Sequence, residues 1–331
     1  MVRWPTIASY RHIIMQQERQ TELLREGIDG ILASLLEEYS LYELGKESVY
    51  KIRRGLGVGA EKNKPWSLLP LIVCESIIGH CEHAVPAAVA LHLMNTAAEV
   101  FDDIEDADSP LTLLSRYNTP VATNIATTLL ILAEKAITQL KAKGVEDNVT
   151  IGVMDAINSY YTTACIGQHL DLSLSPVEVV SEKVYSKITS MKSASTIECA
   201  CHVGAILAGA DTSVADLFTR FGNNLGMAAQ IANDIDGITR GRDITGRRIT
   251  LPVIYALGQT DGEARNLLEG IFVKQAESEI DLSQISDLLF SSGAVQYSIV
   301  QMELYKQKAL DVLSEAERAG VNVKQLKEFL G

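Results

Sequence analysis

The sequence predicts an all-α protein, and three observations carry that prediction. Apolar residues recur at three- and four-residue spacing along almost the whole chain, the period of a helix with one buried face. Proline and glycine fall mostly between these periodic stretches, where helix ends accept them. Of the 331 residues 47% are apolar but only 6% aromatic, and the chain is rich in Ala, Leu, Ile and Glu, a balance that favours helix over strand.

The elements follow in order. Residues 13–44 read as one long amphipathic helix or two, and 53–65 as a loop in which Gly55, Gly57 and Gly59 alternate between flanking basic residues. Stretches 66–78 and 86–106 read as buried helices, and 109–117 connects the second to a helix over 120–143 that ends at Gly144. A helix over 148–172 breaks at Ser175-Pro176, and shorter helices cover 179–191 and 195–207. A long one spans 211–238, a polar loop 240–248, and helices over 250–257, 263–275, 282–289 and 294–319 complete the set. No low-complexity linker and no convincing repeat interrupts the pattern, so a single all-α domain over 1–331 is the economical reading.

Charge narrows the function. A formal net charge of −13 makes nonspecific nucleic-acid binding, which needs a basic footprint, a poor expectation, and it argues against a basic membrane-surface patch. The start, Met1-Val2-Arg3-Trp4-Pro5, leads into a polar run rather than an apolar signal core. No transmembrane segment is expected: the longest apolar candidate, 84–101, contains His92, Asn95 and Glu99 and reads as a core helix. The five cysteines, Cys74, Cys81, Cys165, Cys199 and Cys201, form no Cys-x-x-Cys pair, so a reduced, cytoplasmic setting is expected. His80-Cys81-Glu82-His83 is read as an exposed turn between helices, since four consecutive residues cannot all face one ion.

Two acid-rich segments carry chemistry. The first reads Phe101-Asp102-Asp103-Ile104-Glu105-Asp106 and the second Gln230-Ile231-Ala232-Asn233-Asp234-Ile235-Asp236-Gly237, each after an apolar helical stretch. Asp102 and Asp106 are four apart, so their carboxylates share one helix face. Two carboxylates on an apolar helix are costly unless a cation sits between them. Hard oxygen ligands suit Mg²⁺, which completes its shell with water and substrate phosphate; that points to a diphosphate substrate.

On these segments, together with Gly167-Gln168-His169-Leu170-Asp171-Leu172, Lys192-Ser193-Ala194 and Ile249-Thr250-Leu251-Pro252-Val253-Ile254-Tyr255-Ala256-Leu257, the chain resembles the trans-isoprenyl diphosphate synthases, the polyprenyl synthetase family. The resemblance spans roughly residues 50 to 260 and implies a class I isoprenoid synthase bundle around a central apolar cavity. It implies Mg²⁺-dependent prenyl transfer that begins with ionisation of an allylic diphosphate. Asp102, Asp103 and Asp106 would hold Mg²⁺ from one wall, Asn233 and Asp234 from another, with Gln230 in support. Lys192, and one or more of Arg116, Arg240, Arg242 and Arg248, would grip phosphate oxygens, and Gln168 would line the substrate. No side-chain nucleophile is needed, in keeping with the absence of a recognisable triad or Gly-x-Ser-x-Gly motif. A homodimer is implied as well.

Departures from the family pattern bear on the acceptor. The second motif ordinarily carries three aspartates, and here its first position is Asn233 and its last Gly237. The segment that binds isopentenyl diphosphate has its nearest counterpart in Lys62-Asn63-Lys64-Pro65, one residue short; the histidine position holds Asn95, and the Arg-Arg pair appears as Arg116-Tyr117. The positions that often floor the tail pocket hold Ala97 and Ala98, both small, which leaves room for a long prenyl tail. Chain elongation with isopentenyl diphosphate leads; a class I terpene cyclase, a pheromone-peptide prenyltransferase and a non-catalytic partner subunit are the alternatives.

Overall fold

A computed structural model of the chain describes residues 7–35, 41, 43, 45, 46, 48, 49, 66–106, 118–179, 181–274 and 281–330, and every regular element among them is helical. Helix α1 is Ile7–Leu32, α2 Leu69–Ile78, α3 Val85–Asp106, α4 Thr119–Thr138 and α5 Asp147–Ser173. Helix α6 is Glu182–Thr189, α7 Ser195–Leu207, α8 Thr212–Thr239, α9 the single turn Arg242–Thr245 and α10 Leu251–Gln259. The chain ends with α11 Gly262–Leu268, α12 Leu282–Ser291, α13 Ala294–Arg318 and α14 Lys324–Phe329. The expected loop 53–65 and connection 109–117 lie outside the described residues.

Helix ends sit where local chemistry sets them. The Asn118 side chain caps α4 by accepting the Val121 N–H at 3.1 Å, with Pro120 in the first turn where no N–H is needed. Asp211 and Asp281 cap α8 and α12 in the same way, through Val214 and Gln284. α2 stops at Gly79, whose φ of +84° is the left-handed closure that glycine adopts without strain.

The chain divides into two compact units, each boundary falling inside a helix. The first comprises Met1–Ile157, Ala200–Phe218 and Glu315–Gly331; the second Asn158–Cys199 and Thr219–Ser314. In the first unit Leu69, Leu71 and Ile72 of α2, Ala87, Ala88, Leu91 and Leu93 of α3, and Ile125, Ala126 and Leu129 of α4 are almost fully buried. The Glu75 carboxylate is buried among them. It accepts from Gln20 at 2.6 Å and from Arg19 at 3.3 Å, so its charge is both hydrogen-bonded and paired.

The His80–His83 run is more than the exposed turn expected. His80 and Glu82 are exposed, but Cys81 is fully buried against Glu75, and the His83 ring lies 2.9 Å from the Leu207 carbonyl. Burial, with Glu75 adding repulsion, pushes the Cys74 and Cys81 thiols up to about 12, so both stay protonated at neutral pH.

Two helical stretches, Glu82–Glu105 and Thr119–Lys143, are long and apolar enough to cross a membrane, each with mean hydropathy 1.3. The sequence reading weighed the first, as 84–101, and took it for a core helix; it passed over the second. The first buries 72% of its apolar window within the protein, as a core helix does, and the second 44%.

In the second unit the C-terminal end of α8 is packed by an apolar cluster. Ile238, Val253, Leu268, Phe272, Ile285 and Leu289 are fully buried in it, and Ile244 and Leu257 nearly so. A smaller cluster of Tyr185, Ile231, Leu251 and Ile254 adjoins the acidic segment of α8.

Candidate active site

Within the first unit, the last three turns of α3 change character. Ala97 and Val100 face the core, whereas Met94, Asn95, Ala98, Glu99, Asp102, Asp103 and Glu105 keep accessible surface. Ala98 and Asp102 are four apart and so share a face. Of the two small residues expected to floor a tail pocket, only Ala98 is therefore on the carboxylate side. Glu99 is accessible but recessed: the surrounding protein desolvates its carboxyl, and Asp103 and Asp102 add like charge, so its pKa is pushed up to about 7. Excess negative charge thus concentrates at this helix end. Asp106 is the last residue of α3, and its side chain, like Lys62, Lys64 and Arg116, lies outside the described residues.

Within the second unit, Asp234 is only 3% exposed and both its oxygens accept hydrogen bonds. Tyr185 Oη donates to Oδ2 at 2.6 Å, and Gln230 Nε2, one helical turn earlier, donates to Oδ1 at 2.8 Å. The carboxylate also takes the backbone N–H of Leu251, the first residue of α10. Thr250 stands at the cap of α10 without a side-chain cap bond, so Asp234 supplies the acceptor the helix start needs, with charge of the favourable sign. Burial nevertheless outweighs these bonds and pushes its pKa up to about 6. Asn233, beside it, is exposed and free to present its carbonyl oxygen.

Lys192 sits in a π-helical turn, Ser190–Ala194, between α6 and α7, the kind of local widening that recurs at functional sites. Gly167 of α5 lets this turn approach: a Cβ there would overlap the Lys192 backbone nitrogen. The ammonium pairs with Asp171 at 2.8 Å, and with its side chain 27% exposed it keeps access to solvent. The block Gly167–Asp171, with Gln168 inside it, is thus a seat for Lys192.

The basic loop after α8 is partly neutralised from within. Arg240 and Arg242 both pair with Asp236, at 2.8 and 3.0 Å. Asp243 is partly buried, with Arg248 and Arg242 next to it, and its carboxylate occupies the space that a side chain at Gly237 would need. Arg248 is exposed.

Among the described residues no three His, Cys, Asp or Glu side chains converge as a ready metal cage. The available donors are accessible hard oxygens on helix ends, a set that fits Mg²⁺ sharing its shell with water and a diphosphate better than a closed protein cage. Sequence reading missed Tyr185 and Asp243. Tyr185 carries no motif signal, and Asp243 stands among four arginines that drew attention to themselves.

The polyprenyl synthetase family model matches residues 67–289. The chain belongs to the polyprenyl synthetase family. All five blocks that suggested the family fall inside that span, while Lys62 and Lys64 precede it. Geranylfarnesyl diphosphate synthase of Aeropyrum pernix is 26% identical over 261 residues, 75% of this chain and 80% of that one. Polyprenyl synthase from Caulobacter crescentus, crystallised with calcium and isoprenyl diphosphate, superposes with a TM-score of 0.79 over 96% of this chain and 94% of that one, at 18% identity. Geranylgeranyl pyrophosphate synthase from Corynebacterium glutamicum, complexed with isoprenyl diphosphate and magnesium, gives 0.76 over 95% and 96%, also at 18% identity. These likenesses establish the all-α isoprenoid synthase fold for a family of prenyltransferases.

Proposed function

We propose that this member of the family is a Mg²⁺-dependent prenyltransferase that elongates an allylic diphosphate with isopentenyl diphosphate. The observation that carries the reading is the accessible carboxylate face at the end of α3, in a chain whose relatives are prenyl diphosphate synthases. Bound Mg²⁺ supplies the positive charge that stabilises the departing diphosphate. On α3, Asp102, Asp103 and Asp106 would hold Mg²⁺ through carboxylates; on α8, Asn233 would offer Mg²⁺ its amide carbonyl. Asp234 acts from behind, holding α6, α8 and the start of α10 in register. Lys192 and Arg248 bind phosphate oxygens as fixed cations. The new bond joins C1 of the allylic chain to the terminal alkene carbon of isopentenyl diphosphate; the diphosphate leaves with the electron pair, and a proton is lost from the product cation. Apolar walls keep water from that cation.

The deciding experiment incubates the protein with farnesyl diphosphate and Mg²⁺, with and without isopentenyl diphosphate. A longer diphosphate that forms only with the acceptor is the expected result. A hydrocarbon or alcohol with released pyrophosphate in both reactions overturns elongation in favour of cyclisation or hydrolysis. No turnover of any allylic diphosphate overturns the enzymatic reading.

Tail length tests the α3 face. Ala98→Phe, on the Asp102 side, is expected to shorten the product by at least one isoprene unit without loss of folding. Ala97→Phe, at a fully buried position, is expected to overpack the core and cost about 1–3 kcal/mol instead. Product mass and thermal denaturation read the two; unchanged product length in Ala98→Phe argues against a tail running along this face.

The proposal includes a homodimer in the cytoplasm. Ile131 of α4 and Ile151 and Met154 of α5 are 62%, 65% and 38% exposed in the first unit, apolar surface that a second copy would cover. A monomeric mass by light scattering would remove that part. The cysteines are all unpaired, in keeping with a reducing compartment.

A further inference from the structure

Lys192 takes its direction from a turn that is not ordinary helix. In Ser190–Ala194 the closing bond runs from the Ser195 N–H to the Ser190 carbonyl, five residues back instead of four. Such a turn carries one residue more than an α-turn, so relaxing it would carry Lys192 about 100° round the helix axis relative to its neighbours. Local side chains secure the carbonyls of the widened stretch. Ser195 Oγ donates to the Met191 carbonyl at 2.6 Å, and Thr196 Oγ1 to that of Ser193 at 3.0 Å. Those contacts are internal to the turn and its exit into α7. A tie from outside the turn comes from α8.

Asn223 of α8 is half-buried, and its amide nitrogen bridges two elements. Nδ2 donates to Ser190 Oγ, on the first residue of the π-turn, at 3.3 Å, and to Glu198 Oε2 of α7 at 2.9 Å. Glu198 is itself hydrogen-bonded to Tyr160 of α5, and burial raises its pKa in spite of the two donors. One amide thus spans the widened turn from its first residue to the helix that follows it. The backbones approach closely on the same side of α8. A Cβ at Gly222 would overlap Glu198 Cα, at 2.7 Å, and one at Gly226 would overlap Ala194 Cα, at 2.6 Å. Asn223, Gln230 and Asp234 also lie on one face of α8, spaced seven and four residues apart. The helix that presents Asn233 therefore also indexes the Lys192 turn.

We propose that Asn223 is a positioning residue for Lys192: by tying Ser190 to Glu198 it holds the widened turn in the register that aims the ammonium at the diphosphate. This rests on the prenyltransferase reading above, in which Lys192 binds phosphate oxygens, and adds the residue through which α8 governs that contact. Asn223 touches no substrate in this assignment; it acts only through the turn.

The test is a double-mutant cycle. Asn223→Ala, Ser190→Ala, Lys192→Ala and the double variant Asn223→Ala/Lys192→Ala are compared with the unmodified full-length protein. The first readout is the rise in melting temperature when MgCl₂ and inorganic pyrophosphate are added together, which needs no turnover. The second is kcat/KM for farnesyl diphosphate at saturating isopentenyl diphosphate and Mg²⁺. Lys192→Ala is expected to lower kcat/KM at least about 30-fold and Asn223→Ala at least about fivefold, each with a smaller pyrophosphate-induced rise. Ser190→Ala keeps the bond between Asn223 and Glu198, so it is expected to melt normally while moving both readouts the same way, by at least about twofold in kcat/KM. The double variant is expected to fall within about twofold of Lys192→Ala, because Asn223 then has nothing left to aim. A merely structural Asn223 would add its whole loss to that of Lys192→Ala, and that result overturns the proposal. So does an unchanged Ser190→Ala, which also decides the matter should Asn223→Ala fail to fold. A Lys192→Ala variant with full kcat/KM and a full rise overturns it too, and leaves the elongation reading to the carboxylates of α3. An unmodified protein with neither a Mg²⁺-dependent response to pyrophosphate nor turnover overturns both.

Discussion

Asp102→Ala is expected to lower turnover of an allylic diphosphate at least about 100-fold, with the far-UV helical signal unchanged. The two halves of that expectation have separate grounds. Asp102 keeps accessible surface on the face of α3 turned away from Ala97 and Val100, so the core that holds the helix does not depend on it. Alanine is also the better helix former, which makes a loss of structure still less expected. Its carboxylate, by contrast, is one of the few hard oxygens able to share a hydrated Mg²⁺ with a diphosphate, and no nearby neutral group replaces that charge. Glu105→Ala, an exposed neighbour on the same turn, is the control and is expected to retain most activity. Steady-state kinetics at saturating Mg²⁺ with circular dichroism on the same samples decide it. Full activity in Asp102→Ala would remove the metal argument from α3.

What the sequence makes legible is local. The helix that carries Asp102 to its end at Asp106, the start of α4 at Pro120 and the glycine closure at Gly144 are all written in neighbouring residues, and each is found within a residue or so of where it was expected. The same holds for the all-α class, because periodicity at 3.6 residues is a property of short windows. The misses are contacts across the chain. Tyr185 and Asp234 are 49 residues apart, and no window contains both. The Lys192 turn falls in the gap between the expected helices 179–191 and 195–207, and a π-turn has no composition of its own to mark it; its trace is Gly167, on another helix, where a side chain would collide with it. Gly237 was legible as a departure from the family, yet its meaning depends on what fills the space beside it.

The site residues divide along the same line. Gln168, Lys192, Gln230 and Asp234 were expected to touch substrate or metal because they stand in family blocks, and sequence alone gives every member of a block the same standing. The structure separates them by what they already hold. Gln230 spends its amide hydrogen on Asp234, Asp234 spends both oxygens on neighbours, and Asn233 between them remains exposed. A motif of acids is therefore read here as one outward-facing donor on an inward-facing support.

That support makes the second large prediction. Asp234→Ala is expected to cost about 3–5 kcal/mol, since it leaves the Tyr185 hydroxyl, the Gln230 amide and the Leu251 N–H buried without their acceptor. For a chain of this length that is a drop of roughly 4–7 °C in melting temperature. Tyr185→Phe removes one donor and no charge, so about 1 kcal/mol is expected from it. Asp234→Asn separates shape from charge. The folded carboxyl, near 6, lies above its unfolded value near 4, so its contribution is fully present in acid and is lost as pH rises through 6. In metal-free protein the unmodified chain should therefore lose ground to Asp234→Asn between pH 4 and 7, and Mg²⁺ with pyrophosphate should not reverse the order if Asp234 supports rather than ligates. A reversal of order on adding metal would make Asp234 a ligand. An Asp234→Ala variant that melts with the unmodified protein would mean the three donors find other acceptors, and the register of α6, α8 and α10 would then rest on packing alone.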